Sequence, residues 1–318
     1  MVETDVHFPT DINLLFDAMR KVITLVAALC ARYGVSRWRQ SRYRIRQVKR
    51  MYRRAQKLKR SRAKDPLKQV QQQQQIRSAH QAYLDLAGAL LSQVEDTLAD
   101  LGREAPALNF MEIKYFMQHA QRQIDQIRRR VIQGQTIDHA EKIFSLFEPH
   151  TEWISKGKAG VPVELGLRVC VLEDQYGFVL HHQVMEKQTD DQVAVSMVAQ
   201  AQQRFAALRA CSFDQGFYSP ANALALACLL DEVVLPKKGR LSKTEAAHES
   251  SVGFVTALRA HSGVESAINA LEVHGLDRCR DHGLAGFKRY VALAIVARNI
   301  QQLGVVLRVP QHRVKQAA

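Results

Sequence analysis

Between Ser36 and Lys64 the chain carries fourteen Lys or Arg and no acid. No fold buries such a stretch, because each unpaired cation taken out of water costs several kcal/mol. The segment must therefore lie on a surface. Trp38, Ile45, Val48 and Tyr52 recur on one narrow stripe, which predicts a helix over about Ser36–Arg62 with a single buried edge. Like charges three and four residues apart on a helix repel each other, so an anion is expected beside it. Nucleic-acid phosphate fits that role, and a bare solvated face is the plain alternative. The expected contacts are Arg42, Arg46, Lys49, Arg50, Arg53, Arg54 and Lys57.

The rest of the chain is balanced. Formal net charge is +14, with 45 basic and 31 acidic residues among 318, and 45 − 14 leaves 31 bases against 31 acids. The basic character is thus one segment, which points to a polyanionic partner and says nothing about fold. Five cysteines form no Cys-x-x-Cys pair and sit among apolar neighbours, as reduced buried thiols do. With no apolar leader in the acidic first residues, and with the apolar run Val22–Cys30 too short to cross a bilayer, the chain reads as cytoplasmic.

Residues 10–133 read as helices. Leu14, Leu15, Met19, Val22, Ile23, Val26 and Leu29 keep helical spacing up to Gly34; Asp65-Pro66 opens a long helix with a solvent-facing Gln71–Gln75 tract; a fourth covers Asn109–Ile132 and stops at Gly134. The pattern then changes. Phe144–Ile154 suggests extended chain, and Val161–Leu172 alternates with period two. Asp174–Gly177 reads as a turn and Phe178–Met185 as the returning strand of a hairpin. Asp190 and Asp191 are expected to cap a helix running to about Ala210. A strand ending in Asp214 follows, then a helix opened by Ser219-Pro220, a short strand at Glu232–Leu235, and a basic loop from Pro236 to Lys243. Two or three helices close the chain, the last apolar from about Leu284 to Leu303. The fold class is α/β: a mixed sheet flanked by helices, with a long all-helical insertion after the first strand. The boundaries are 1–9 for that strand, 10–135 for the basic helical insertion, 136–308 for the core and 309–318 for a basic tail.

Two carboxylates are candidates for one site. Asp214 ends its strand, and the carboxyl edge of an open α/β sheet is where ligands bind; as a plain turn cap it has an equally ordinary role. Glu265 opens a helix after Ser262, and Ser-x-x-Glu is also a capping box. Acids from a strand end and a facing helix suit Mg²⁺ (or Mn²⁺), and two such ions serve phosphodiester chemistry. Lys237, Lys238, Arg240 and Lys243 form a solvated turn or a DNA contact near Asp214.

His7-Phe-Pro-Thr-Asp11 with Leu14-Leu15, Glu141-Lys142 to Gly157-Lys158, Phe213-Asp-Gln-Gly-Phe-Tyr-Ser219, Gly263-Val-Glu-Ser-Ala-Ile268 with His274-Gly-Leu276, and Gly286-Phe287 to Asn299 and Leu303-Gly304 together resemble the insertion-sequence transposases of the DDE class. The resemblance runs along nearly the whole chain in order. It implies an RNase H-like core whose three acids hold two Mg²⁺ ions and cut and join transposon-end and target DNA, on which such proteins pair as homodimers in the bacterial nucleoid. Residue by residue, Asp214 matches the second acid and Glu265 the third. The first acid of the family lies just ahead of the segment matching Val2–Asp5, so the 318 residues are expected to bind DNA without cleaving it. Relatives carry Arg four residues before the third acid and Lys seven after it; here those positions hold His261 and Glu272. Two alternatives stay open: a non-catalytic DNA-binding fragment that regulates transposition, and an RNA-binding helical protein whose acids only cap helices.

Overall fold

The computed structural model describes residues 1–60, 65–101, 106, 108–155, 162–261 and 263–315. The chain divides into two compact units, Val6–Pro149 and Met1–Asp5 with His150–Ala318. The first unit is helical and runs past residue 135, the expected end of the insertion.

In the helical unit, α1 (Asp11–Arg32) starts at Thr10, whose hydroxyl accepts from the Asn13 amide at 3.3 Å. It ends at Gly34 with φ +72°, and the Val35 amide reaches back to the Cys30 carbonyl at 2.8 Å. Only glycine takes that φ without strain. Leu15, Met19, Val22, Ile23 and Val26 are fully buried, as their spacing requires. The expected 36–62 helix is broken near its start. A 3₁₀ turn, Ser36–Trp38, precedes α2 (Ser41–Arg60). The break frees Trp38 to bury completely and to donate its indole N–H to Thr97 at 3.0 Å. Paired with a buried acceptor, the indole satisfies the polar edge that its burial would otherwise leave bare. α3 (Pro66–Leu101) and α4 (Leu108–Ile127) complete the bundle, α4 running into a wider turn, Arg128–Ile132, before Gly134.

The other unit is α/β. Its main sheet contains β1 (Val2–Thr4), β2 (Glu152–Ser155), β3 (Val163–Glu173), β4 (Val179–Met185) and β7 (Arg278–Cys279); β5 (Ala210–Ser212) and β6 (Glu232–Val234) form a separate parallel pair. β3 is the spine. It pairs antiparallel with β2 along Val163–Gly166, with β1 at Val2↔Leu167 and Glu3↔Gly166, and with β4 from Arg168 onward. β7 lies parallel to β1, so the sheet is mixed. β1 passes so close that a Cβ at Gly166 would fall 2.0 Å from the Val2 carbonyl oxygen, which explains a glycine inside the strand. Beyond Leu167, Val169–Leu172 pair with β4 on one edge only, among the described residues.

Helices are α5 (Asp190–Gln202), α6 (Pro220–Leu229), α7 (Lys243–Glu249), α8 (Val252–His261), α9 (Gly263–Leu271) and α10 (Gly283–Lys315). Alternation along β3 sends Leu167, Val169 and Val171 into a cluster with Phe287, Val291 and Ile295 of α10. Cys170 and Leu172 enter a second cluster with Val193, Met197 and Val198 of α5 and Leu226 of α6. The sheet is therefore covered on both faces by helices.

Several expectations are corrected. α5 stops at Gln202, not near Ala210: the Gln202 amide donates to the carbonyls of Leu208 (3.0 Å) and Leu229 (2.8 Å) and holds the following chain in turns. Its cap is Thr189, in a reciprocal box with Gln192, and Asp190 and Asp191 sit in the first turn. Phe144–His150 is not strand, since the Ser145 hydroxyl takes the amide protons of Phe147 and Glu148 that a ladder would use. Four helices close the chain, because Ser242 and Glu245 box-cap the extra helix α7. Of the expected tail, 309–315 continues α10, and 316–318 lie outside the described residues. Val161, Gly157, Lys158 and Ser262 lie outside them too.

Candidate nucleic-acid interface and acidic centre

The cationic face belongs to the helical unit. α2 packs inward through Val48 and Ala55, both fully buried, and stacks Tyr52 on Phe16 of α1 with ring centroids 5.3 Å apart. That inward stripe turns the opposite surface to solvent. Arg42, Arg46, Lys49, Arg50, Arg53, Arg54 and Lys57 are all exposed. Among the described residues, none of these seven side chains makes an ion pair or a hydrogen bond. Positions 42, 46, 49, 50, 53, 54 and 57 are linked by three- and four-residue steps, so the seven form one continuous cationic face. Arg44 is the exception in kind: its guanidinium lies 4.3 Å from the Trp38 ring centroid and bonds Gln93, so it braces the bundle.

The acidic centre belongs to the α/β unit. β5 and β6 run parallel with register Ser212↔Val234, and Asp214 follows at their carboxyl end, opening a 3₁₀ turn, Gln215–Phe217. Its side chain is 74% exposed. One carboxylate oxygen lies 3.1 Å from Nε2 of His261, the last residue of α8, and Nδ1 of that ring lies 2.9 Å from the Ser212 hydroxyl. His261 thus links the strand and the carboxylate that follows it, leaving the second Asp214 oxygen without a partner among the described residues. Sequence reading treated His261 only as a departure from a family pattern; its partners come from the packing of α8 on β5 and β6. A Cβ at Gly216 would meet the Asp190 carboxylate at 3.0 Å, so a larger residue there would make that side chain shift. Burial pushes the Cys170 thiol up to about 12, helped by the negative fields of Asp190, Cys211 and Asp214, and burial alone does the same to Cys211. Cys228, expected to be buried with the others, is exposed.

Glu265 lies in the first turn of α9, exposed, with no hydrogen-bonding or ionic partner among the described residues. It follows His261 by four residues. Among the described residues no group of three or more His, Cys, Asp or Glu is gathered closely enough to hold a metal ion.

The basic loop divides. Lys237 is half-buried and donates to both Glu245 carboxylate oxygens, at 2.7 and 2.9 Å, while its backbone amide binds Glu249 at 2.8 Å. The Lys237 ammonium, then the Ser242 backbone and hydroxyl, hold the Glu245 carboxyl down to about 2. Gln215 donates to the Lys237 carbonyl at 2.9 Å and ties the start of the loop to the turn after Asp214. Lys238, Arg240 and Lys243 remain exposed.

One helix, Gly283–Arg308, is long and apolar enough to cross a membrane by length and composition. No protein-family model matches the chain, and neither a curated protein nor a solved structure shows significant similarity to it.

Proposed function

We propose that this chain is a DDE-class transposase polypeptide, with an RNase H-like core and a DNA-binding helical insertion. The observation that carries the reading is the unpaired cationic face of α2, which is built to lie against a polyanion. The second support is Asp214, solvent-facing at the carboxyl end of a parallel strand pair. The two-faced helical cover of a sheet whose long strand β3 carries a hairpin with β4 accords with an RNase H-like core. Separation of β5–β6 from the main sheet is the departure from it.

Mg²⁺ or Mn²⁺, when bound, supplies activation of the attacking hydroxyl and stabilisation of the leaving oxygen. The donors that would hold it are the second oxygen of Asp214 and the Glu265 carboxylate, both exposed and without a Lys or Arg partner among the described residues. Hard oxygen donors of this kind suit Mg²⁺, which keeps water or phosphate as its remaining ligands. His261 orients Asp214 for that task, and Lys238, Arg240 and Lys243 attract the phosphate. We assign two acids of such a site, Asp214 and Glu265, to this chain, and propose that it binds transposon-end and target DNA without cutting it.

The test is a paired assay on the purified chain, using mixed-sequence duplex and duplex from the DNA flanking its gene. We expect salt-sensitive binding and no Mg²⁺-dependent nicking. Efficient nicking would overturn the two-acid account, and an absence of DNA binding would overturn the transposase reading. A second reading is a regulatory DNA-binding fragment that occupies ends without chemistry, which the unpaired cationic face of α2 also supports. An in-frame Asp-x-Thr codon series just ahead of Met1 in the gene decides for the enzyme, and stop codons there decide for the fragment.

A further inference from the structure

The outward face of α2 holds one residue that charge does not explain. From Tyr43, steps of three, four, three and four residues lead to Arg46, Arg50, Arg53 and Lys57, so these side chains share one stripe of the helix. The stripe is cationic except at its first position. There it presents an aromatic ring, 51% exposed, with Arg42 beside it in sequence.

The other tyrosines of the helical unit are employed by the fold. The Tyr33 hydroxyl accepts from the Asn109 amide at 3.2 Å, and Tyr52 stacks on Phe16. The buried Tyr83 donates to the Ile12 carbonyl at 3.3 Å, and Tyr115 donates to that of Leu146 at 3.4 Å. The Tyr43 side chain makes no hydrogen bond and no ring contact among the described residues. Local structure does not ask for it either. Tyrosine is a weaker helix former than the Lys and Arg around it, and its exposed ring keeps apolar surface in water.

A nucleic acid with unpaired bases would use both kinds of side chain. Cations hold its phosphates, and an aromatic ring covers the face of a base. Inside an intact duplex the neighbours of each base already cover both faces, so a surface ring finds nothing to stack on. We propose that Tyr43 stacks on an unpaired base, and that the outward face of α2 therefore prefers DNA with unpaired bases, at a gap or an end, over intact duplex. Arg42, next in sequence, and Arg46, about one turn along, hold the phosphates flanking that base. The proposal rests on the reading of α2 as a DNA-binding face.

The test uses the full chain with a labelled mixed-sequence duplex and with the same duplex carrying a short gap in one strand. Fluorescence anisotropy is expected to show the gapped DNA bound about tenfold more tightly, the order of one base–aromatic stack. Tyr43→Ala should bring the two DNAs to equal affinity, whereas Tyr43→Phe, which keeps the ring and loses the hydroxyl, should retain the preference. A fluorescent base analogue opposite the gap should dim on binding the native and Phe chains and stay bright with the Ala chain. Thermal unfolding should be the same for each, because the position faces solvent. Equal affinity of the native chain for both DNAs overturns the proposal, as does a preference that survives Tyr43→Ala. Binding to neither DNA overturns the reading of α2 as well. Tighter binding of an RNA single strand than of the same strand as DNA overturns the choice of DNA as the partner.

Discussion

The helical unit holds two arginine-rich stretches that meet opposite fates. On α2, seven cations stand exposed and unpaired. At Arg128–Ile132, one turn of the same bundle, two of the three arginines are spent internally. Arg130 grips Asp11 with two hydrogen bonds of 2.7 and 2.9 Å, and Arg129 reaches Glu141 at 2.6 and 2.9 Å. Both stretches look alike as composition. What separates them is the reach of a carboxylate: the wider turn lies beside α1 and the 3₁₀ turn at His139–Glu141, whereas the outer face of α2 has no element over it that bears an acid among the described residues. An arginine that closes a local pair fastens a fold, and an arginine left without one is available to a ligand.

The largest expected effect breaks that comparison most directly. Replacing Arg50, Arg53, Arg54 and Lys57 with Gln should weaken DNA binding by orders of magnitude at low salt. The slope of log affinity against log salt should fall by about 3–4, at roughly 0.9 per lost phosphate contact. Fluorescence anisotropy titrations at several salt concentrations measure it. An unchanged slope would place the DNA elsewhere and leave α2 a solvated face.

Arg130→Met should do the converse. It strands Asp11, whose side chain is only 14% exposed, without its partner. The pair is partly rather than fully buried, so the loss is about 1–2 kcal/mol, below the cost of breaking a fully buried pair. The urea midpoint should drop while the salt slope of DNA binding stays put. A falling slope with normal stability would mean that Arg130 touches DNA and that the division between the two stretches is false.

Histidines extend the contrast to charges the fold refuses. Burial lowers the pKa of His119, His181 and His182, with Arg122 beside the first and Arg204 beside the other two adding to it. The folded state thus binds protons less readily than the unfolded one. Stability from this source is intact above the unfolded value of about 6.5 and declines as pH falls through it. Chemical denaturation at pH 7.5 and 5.5 should show that decline, and His181→Gln with His182→Gln should reduce it. A pH response untouched by the double substitution would assign it to other groups.

How much was legible in the residues follows the same division. The helical unit was readable because its signals are local: Thr10 and Gly34 bound α1, and Val48 marks the inward edge of α2. The cationic face needed only a count of acids. The sheet was less readable, since pairing is set by residues far apart in sequence. Gly166 looked like one residue of an alternating strand until β1 passed 2.0 Å from its missing Cβ. Nothing near Gln202 announced that its amide would fasten Leu208 and Leu229 and end α5 early. Asp214 was found from its strand–turn–helix setting, but His261, its partner at 3.1 Å, comes from α8, 47 residues further along. The apolar closing helix was expected, but which of its residues are buried follows from the distant strands that Phe287, Val291 and Ile295 meet.

The smallest expected effect applies the paired-or-free rule inside the basic loop. Lys237 and its neighbours are indistinguishable by sequence, yet Lys237 closes a two-bond pair with Glu245 while Lys238, Arg240 and Lys243 face solvent. Lys237→Gln should leave the salt slope unchanged, because its ammonium is already occupied. Its removal should instead loosen the loop, since it frees Glu245, while the backbone ties of residue 237 to Gln215 and Glu249 remain. The triple change of Lys238, Arg240 and Lys243 to Gln should lower the slope by at most about 2–3, if each meets one phosphate. Acid separates the two roles further. Glu245 titrates near 2 in the folded chain, below its unfolded value, so its contribution is present at neutral pH and is lost only as pH falls toward 2. The three exposed cations therefore sit on an ordered loop across the whole neutral range. A Lys237→Gln slope that falls as far as the triple variant's would show that pairing in the free protein does not predict which cations meet DNA.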